Sequence, residues 1–478
     1  MSTLDTEALH AKPHGELQTE LEREPEPQVE PEAELKIELE PEPEPQVELE
    51  LEREPQSASE LEPELQPQPR QQPAAPTSSV RVAGSARMSQ QKAKEFMQFV
   101  MHPQDMQRVH TPQTASSICI SVVIPMWNNE DTIERTLVSI QAQTHANFEC
   151  IIVNDGSTDA SAQVCSRFCN SDARFVMYTQ ENSGVSAARN YGLARAHGTL
   201  VLFLDADDSY KPTTFQIAAE TYIQAHWDVL VFGFDVVPKE SWLSSIHALR
   251  TPRAAMYFKF SPTLMFSQTT KPFVCRSAYA RSFLMRAHAR FHTALSLGED
   301  MEWFFYVYPR SAKTQVISQH LYEYVMRDTS VVHSISAQSA HSAARLKKVM
   351  QHLDVIDVIC ADWYHKPWTA AARAAFVSWA CDFVLFDILS LAPDDRHHAL
   401  VFLRDVLCAF TDTTPQTLAT IAEKDAVLHH TLQLVCAAAE GRAQLTMQSI
   451  TMFYVTRRGI VACAKRFACK LLGRSSYN

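Results

Sequence analysis

The chain is 478 residues long, 46% hydrophobic and 21% charged, with a formal net charge of −12 at pH 7. That length predicts two to four domains and a sizeable core. Residues 1–70 hold 21 acidic side chains against 5 basic, so the remainder is close to neutral and mixed in sign, which excludes a dedicated nucleic-acid binder.

The 11 cysteines are odd in number, form no CxxC pair and sit mostly in apolar runs, which excludes a secreted disulfide framework or a zinc site. Small core thiols in a reducing, cytoplasmic compartment are expected instead. MSTLDTEALHAK lacks the basic start and apolar run of a signal peptide, and no run of about 18 uncharged apolar residues is found. The expectation is a chain neither secreted nor membrane-spanning.

Residues 15–70 are low-complexity, with LEREP at 21–25 and 51–55 and EPEPQVE at 24–30 and 42–48. Frequent Pro blocks helix and dense Glu blocks burial, so residues 1–87 are expected to be a disordered tail and linker. An acidic arm for a basic partner is the functional alternative. Residues 88–101 have the composition of one short helix.

Order begins abruptly at residue 117. Residues 118–125 (ICISVVIP) form a continuous β-branched run, followed by helical spacing over 131–143. The pattern repeats with a strand at 148–153, a helix at 161–169, a strand at 175–178, a helix at 186–197 and a strand at 199–204. Strand–turn–helix in series with fully apolar strands predicts an α/β fold with a mostly parallel sheet covered by helices on both faces. Ligands of such sheets sit beyond the carboxyl ends of the strands.

From 337 to 478 the apolar spacing is three and four, with breaks near 392–395 and 411–415, which predicts four to six helices. The span 452–474 interleaves Phe453, Tyr454, Ile460 and Phe467 with Arg457, Arg458, Lys465 and Arg466 and contains no acid. A basic amphipathic helix of this kind can lie on an anionic membrane surface or dock on its own domain.

Polar clusters end the strands: Asn128 and Glu130, then Asp155, then Asp205-Ala206-Asp207-Asp208, with Glu299-Asp300 further on. Carboxylates at i and i+2 just past a buried strand can converge on a hard cation that itself holds phosphates. An acid pair alone is common in loops; after LVLFL and downstream of two similar clusters it carries weight.

IPMWNNEDTIERTLVSIQAQTHANFECIIVNDGSTD and ENSGVSAARNYGLARAHGTLVLFLDADD together resemble the family 2 glycosyltransferases, from about residue 118 to 208. A looser likeness resumes at 283–305 around Leu297-Gly298-Glu299-Asp300. The resemblance implies a GT-A fold over 117–335, a nucleoside-diphosphate sugar donor (a UDP-sugar), Mg²⁺ or Mn²⁺, and inversion at the anomeric carbon. It implies Pro125, Trp127 and Glu130 along the nucleoside pocket, with Trp127 where relatives usually have Tyr, and Asp155 accepting from the base. Gly184 and Arg189 would border the nucleotide, Asp205 would reach the ribose or a metal-bound water, and Asp207 would ligate the metal. Asp300 would be the general base, with Glu299 beside it as the weaker candidate. Residues 322–330 (YEYVMRDTS) resemble the family's following segment, with Val325 in place of the first Arg, leaving Arg327 as a diphosphate contact.

Blander readings stand beside several residues. His333 is a surface or core histidine before it is a ligand, and Cys165/Cys169 at i, i+4 are core before they are a metal site. Trp363, Tyr364, Trp368 and Trp379 are an aromatic core before they are an acceptor platform. The expected activity is transfer of a hexose-type sugar to a hydroxyl of a glycan or lipid-linked acceptor in polysaccharide or glycolipid synthesis, on the cytoplasmic side or face of a membrane. A catalytically silent scaffold is the competing class. A sugar nucleotidyltransferase is disfavoured because no Gly-rich start follows the first strand. Residues 235–290, where sugar and acceptor choice would be made, carry no readable motif.

Overall fold

The computed structural model describes residues 114–238, 249–268, 274–326 and 342–460. The expected tail and linker, the 88–101 helix, Arg327, His333 and residues 461–474 lie outside the described residues.

The apolar runs become strands: those at Ile120–Met126 and Leu200–Phe203 are buried along their whole length, Phe148–Asp155 at all but one position, while Phe175–Gln180 is buried only at Phe175. β1 (Ile120–Met126) pairs in parallel with β2 (Phe148–Asp155) on one side and β4 (Leu200–Phe203) on the other, and β2 pairs in parallel with β3 (Phe175–Gln180). The connecting helices are α1 (Ile133–Gln141), α2 (Ser161–Ser171) and α3 (Val185–Leu193), each with one face turned to the sheet. β1 has neither face free for water, which is why its residues do not alternate in polarity. α3 stops at Leu193, short of the expected 197, and the N–H groups of His197 and Gly198 turn onto the Glu149 carboxylate at 2.6 and 3.2 Å.

Beyond β4 the sheet is mixed, whereas the residue pattern predicts it mostly parallel. The further elements are β5 (Ser209–Tyr210), α4 (Thr214–Ala225), β6 (Val229–Val237), β7 (Ala255–Phe258), α5 (Pro262–Phe266), β8 (Ser277–Ala280) and α6 (Arg281–Arg286). α7 (Glu299–Val307) and β9 (Lys313–Val325) complete this part. The strand order is β3-β2-β1-β4-β8-β6-β9-β5, with β7 on β9. β8 runs antiparallel to both β4 and β6, and so reverses direction inside the sheet. Its four residues, SAYA, are too few to announce a strand by periodicity.

Five helices follow among the described residues: α8 (Ser342–Trp363), α9 (Thr369–Ile388), α10 (Pro393–Thr411), α11 (Ala426–Ala439) and α12 (Met447–Arg458). The expected breaks hold for a physical reason: Pro393 opens α10 at its first turn, and Asp412 closes it in the left-handed region at φ 55°. α9 alone among the described helices is long and apolar enough to cross a membrane, but 61% of its most apolar window is buried inside the protein. Its Phe376 and Trp379 join Phe305, Trp363 and Phe410 in one aromatic core, the bland reading of those tryptophans. In α12 Phe453 and Tyr454 are buried, while Met452 and Ile460 beyond it are exposed. All nine described cysteines are free thiols, and burial pushes Cys165 up to about 12.

Candidate active site

The carboxyl ends of β1, β2 and β4 open into a cleft of about 490 Å³ lined by Pro125, Met126, Trp127, Asn129, Asp155, Asn182, Gly184, Val185, Ala188, Asp205, Ala206 and Asp207. Parallel pairing is what gathers them: Met126 stands opposite Asn154, and Val123 opposite Phe203, so three strand-end turns share one rim. The indole of Trp127 is 55% exposed at that rim, an apolar plate facing outward.

The turns after β1 and β2 are laced together by their own polar side chains. Asn128 Oδ1 accepts from the Thr158 N–H at 2.8 Å, and the Asn129 N–H donates to Ser161 Oγ at 2.8 Å. Glu130 belongs to this lacing and does not line the cleft: its carboxylate accepts from the Ala160 N–H at 2.8 Å, ahead of α2. Asp155 is buried and takes three donors, Gln180 Nε2 at 2.7 Å, the Ser183 N–H at 2.9 Å and the Gly184 N–H at 2.8 Å. It therefore fixes the segment that leads into α3. Gly184, at φ 88°, ψ 161°, occupies a backbone conformation that only glycine adopts freely.

Arg189, on α3, is the hub. Buried at 2% exposure, it donates from Nη2 to Asp205 Oδ1 at 2.8 Å and from Nη1 to Asp300 Oδ1 at 2.8 Å and Glu299 Oε1 at 3.3 Å. Burial pulls the guanidinium pKa down, yet the three carboxylates hold it well above its ordinary value. The acid after β4 and the acids of α7 are thus bridged by one cation, although they lie about ninety residues apart. Asp300 also accepts from the Val274 N–H at 3.4 Å. Burial raises its pKa to about 7; Arg189 opposes that rise, while Glu299 and Asp205 add to it. A carboxylate titrating near neutral pH is matched to general-base work.

The third acid of the turn has a different task. Asp208 is buried, accepts from the Val325 N–H at 2.7 Å and from the Tyr322 hydroxyl, and so ties the turn to the end of β9. Burial, then Asp207 and Asp205, push its pKa well up. Asp205 and Asp207 face the cleft, and among the described residues no group of three His, Cys, Asp or Glu is arranged for a metal ion. Two carboxylates completed by a substrate's phosphates are an ordinary set for Mg²⁺-type cations, so these residues fit a metal that arrives with a phosphorylated ligand.

Of the expected site residues, Pro125, Trp127, Asp155, Gly184, Asp205 and Asp207 line the cleft; Arg189, Glu299 and Asp300 join at its Asp205 side; Arg327 lies outside the described residues. Asn129, Asn182, Val185 and Ala188 were not expected at the wall. Asn182, Val185 and Ala188 lie in the ENSGVSAARN segment, Asn182 two residues before Gly184 and the other two between Gly184 and Arg189, so proximity to that motif is a usable signal.

Residues 121–285 match the family model described as Glycosyl transferase family 2. Over 216 residues the chain is 31% identical to Glycosyltransferase GlyA of Streptococcus pneumoniae serotype 4, spanning 44% of this chain and 31% of that protein. Over 213 residues it is 29% identical to an uncharacterized glycosyltransferase, EpsJ of Bacillus subtilis, spanning 43% and 60% respectively. The chain thus spans less than two thirds of these relatives. The crystal structure of S. aureus TarS 1–349 in complex with UDP superposes with a TM-score of 0.53 at 19% identity, covering 72% of this chain and 92% of that one. That likeness establishes a shared GT-A fold.

Proposed function

We propose that this chain, which belongs to glycosyltransferase family 2 through residues 121–285, transfers a sugar from a nucleoside-diphosphate donor to a hydroxyl acceptor with inversion. The observation that carries the reading is the Arg189 bridge, which couples the cleft wall at Asp205 to a carboxylate of near-neutral pKa at Asp300.

In this reading the Trp127 indole stacks on the nucleobase, Asp155 presents its remaining lone pairs to a base N–H, and Pro125 closes the nucleoside side of the cleft. Asp205 and Asp207 would hold Mg²⁺ or Mn²⁺, which supplies positive charge to the departing diphosphate. Asp300 takes the acceptor's proton as the hydroxyl oxygen bonds to the anomeric carbon and the bond from that carbon to the diphosphate oxygen breaks. One displacement from the face opposite the leaving group inverts the centre, and no covalent nucleophile is needed. Glu299 orients the turn; burial, with lesser help from the charges of Glu299 and Asp205, keeps Asp300 basic despite Arg189. Such base catalysis contributes about 10²–10⁴-fold.

A UDP-sugar is the donor class we favour, supported by a neighbouring fold solved with UDP-GlcNAc. A glycan or lipid-linked hydroxyl is the acceptor class, and the acid-free basic run at 452–474 supports peripheral contact with an anionic membrane. The test is a panel of nucleotide sugars with Mn²⁺ and purified full-length protein, read by released nucleotide. Release from one donor, lost in Asp300→Asn, is expected; no release from any donor defeats the reading.

A further inference from the structure

We infer that α8, a helix outside the family-matched span, is a positioning element of the active site, through the seat it makes for the turn that carries Glu299 and Asp300; this rests on the function proposed above.

Gly298 caps the N-terminus of α7 at φ +81°, and its Cα lies directly on α8. A Cβ built at Gly298 would lie 2.8 Å from Val355 Cγ2, closer than side-chain carbons approach, and Val355 is wholly buried. One turn earlier on α8, Gln351 Nε2 donates to Ser296 Oγ at 2.6 Å. The contact continues along α7: Trp363 Nε1 donates to the Phe305 carbonyl at 2.9 Å. Just past α7, Arg310 makes a two-pronged pair with Asp362 at 2.6 and 2.9 Å.

Asp300 is therefore held from two sides. Arg189 of α3 and the N–H of Val274, in the turn before β8, grip its carboxylate, and α8 fixes the backbone two residues before it. No residue of α8 lines the cleft. Shifting the seat should move the base relative to the acceptor and leave nucleotide binding alone. A displacement of about 1 Å is enough to cost roughly 10²-fold in rate.

The test uses the full chain, turnover of whichever donor the panel selects, and calorimetry with UDP and Mn²⁺. Gly298→Ala should lower kcat by roughly 10–100-fold while UDP affinity stays within about twofold. Adding Val355→Ala, which clears the atoms that the new methyl meets, should recover several-fold of that loss. Three results each overturn the inference: kcat within about twofold of wild type, UDP affinity falling in step with kcat, or no recovery in the double variant. If Gly298→Ala does not fold, Gln351→Ala decides, with a roughly 3–10-fold loss of kcat at unchanged UDP affinity expected and an unchanged kcat overturning it. Wild-type protein that turns over no donor overturns the functional reading instead, and this inference with it.

Discussion

The two halves of the active site are built in different ways. The cleft half comes from β1, β2 and β4, where each functional group follows its strand by a few residues and parallel pairing alone brings the ends together. The other half, Glu299 and Asp300, sits on a short helix seated between Arg189 and α8, over a sheet whose direction β8 has reversed. Local motifs suffice to place the first half. The second depends on individual side-chain contacts from Arg189 and α8 and not on a strand ladder, so it should be the more easily disturbed.

The largest effect is expected where the halves meet. Arg189→Met leaves Asp205, Glu299 and Asp300 close together without their shared cation, so their mutual repulsion is no longer offset. Thermal unfolding should show a fall of many degrees, with turnover abolished. A variant of wild-type melting temperature would mean that the bridge contributes nothing to the fold.

Asp300→Asn should separate the halves. Loss of about 10²-fold or more in kcat, with UDP affinity unchanged, is the expected result. In the wild type, activity requires the ionised carboxylate, so kcat/KM should fall as pH drops below about 7, the value to which burial raises Asp300. A rate that is flat from pH 8 to 5.5 would remove Asp300 from the role. Glu299→Gln should be the milder change; equal severe losses at both acids leave the assignment to a complex with acceptor bound.

Asp207→Asn tests the cleft half alone: Mn²⁺-dependent UDP binding should weaken strongly while the fold and Arg189 bridge persist. Calorimetry that returns the wild-type affinity would reject Asp207 as a metal ligand. A smaller loss is expected at Trp127→Ala, since stacking on an aromatic face is worth about 1–3 kcal/mol per base. UDP affinity should fall without any change in the pH profile, and an unaltered Kd would place the base elsewhere.

The effect with the least bearing on turnover is a pH dependence of stability at His352 of α8. His352 is buried, and burial, with Lys348 beside it, lowers its pKa to about 4 against the pull of Asp387. The unfolded imidazole takes a proton as pH falls through about 6.5 and the folded one does not until about 4, so stability is full above that window and declines within it. The decline should reach at most about 3 kcal/mol by the lower end. Urea midpoints at pH 7 and 5 should converge in His352→Phe; an undiminished pH dependence there would assign the effect to other groups.

Residue pattern alone determined the alternation of the first four strands with three helices, the strand-end acids, the helical character of 342–458 and the breaks at Pro393 and Asp412. These are local properties: period, turn chemistry and full burial of an apolar run are written within a few residues. The acids of the turn after β4 look alike in sequence, yet Asp207 faces the cleft while Asp208 is buried beneath it, bound to Tyr322 and Val325. Likewise Glu130 reads as a pocket residue and instead binds the Ala160 N–H. Which way a side chain turns depends on partners far along the chain. Only tertiary structure decided the antiparallel β8, the Arg189 bridge and the seat of Gly298 on Val355, because each joins segments whose separation leaves no periodic trace in the order of residues.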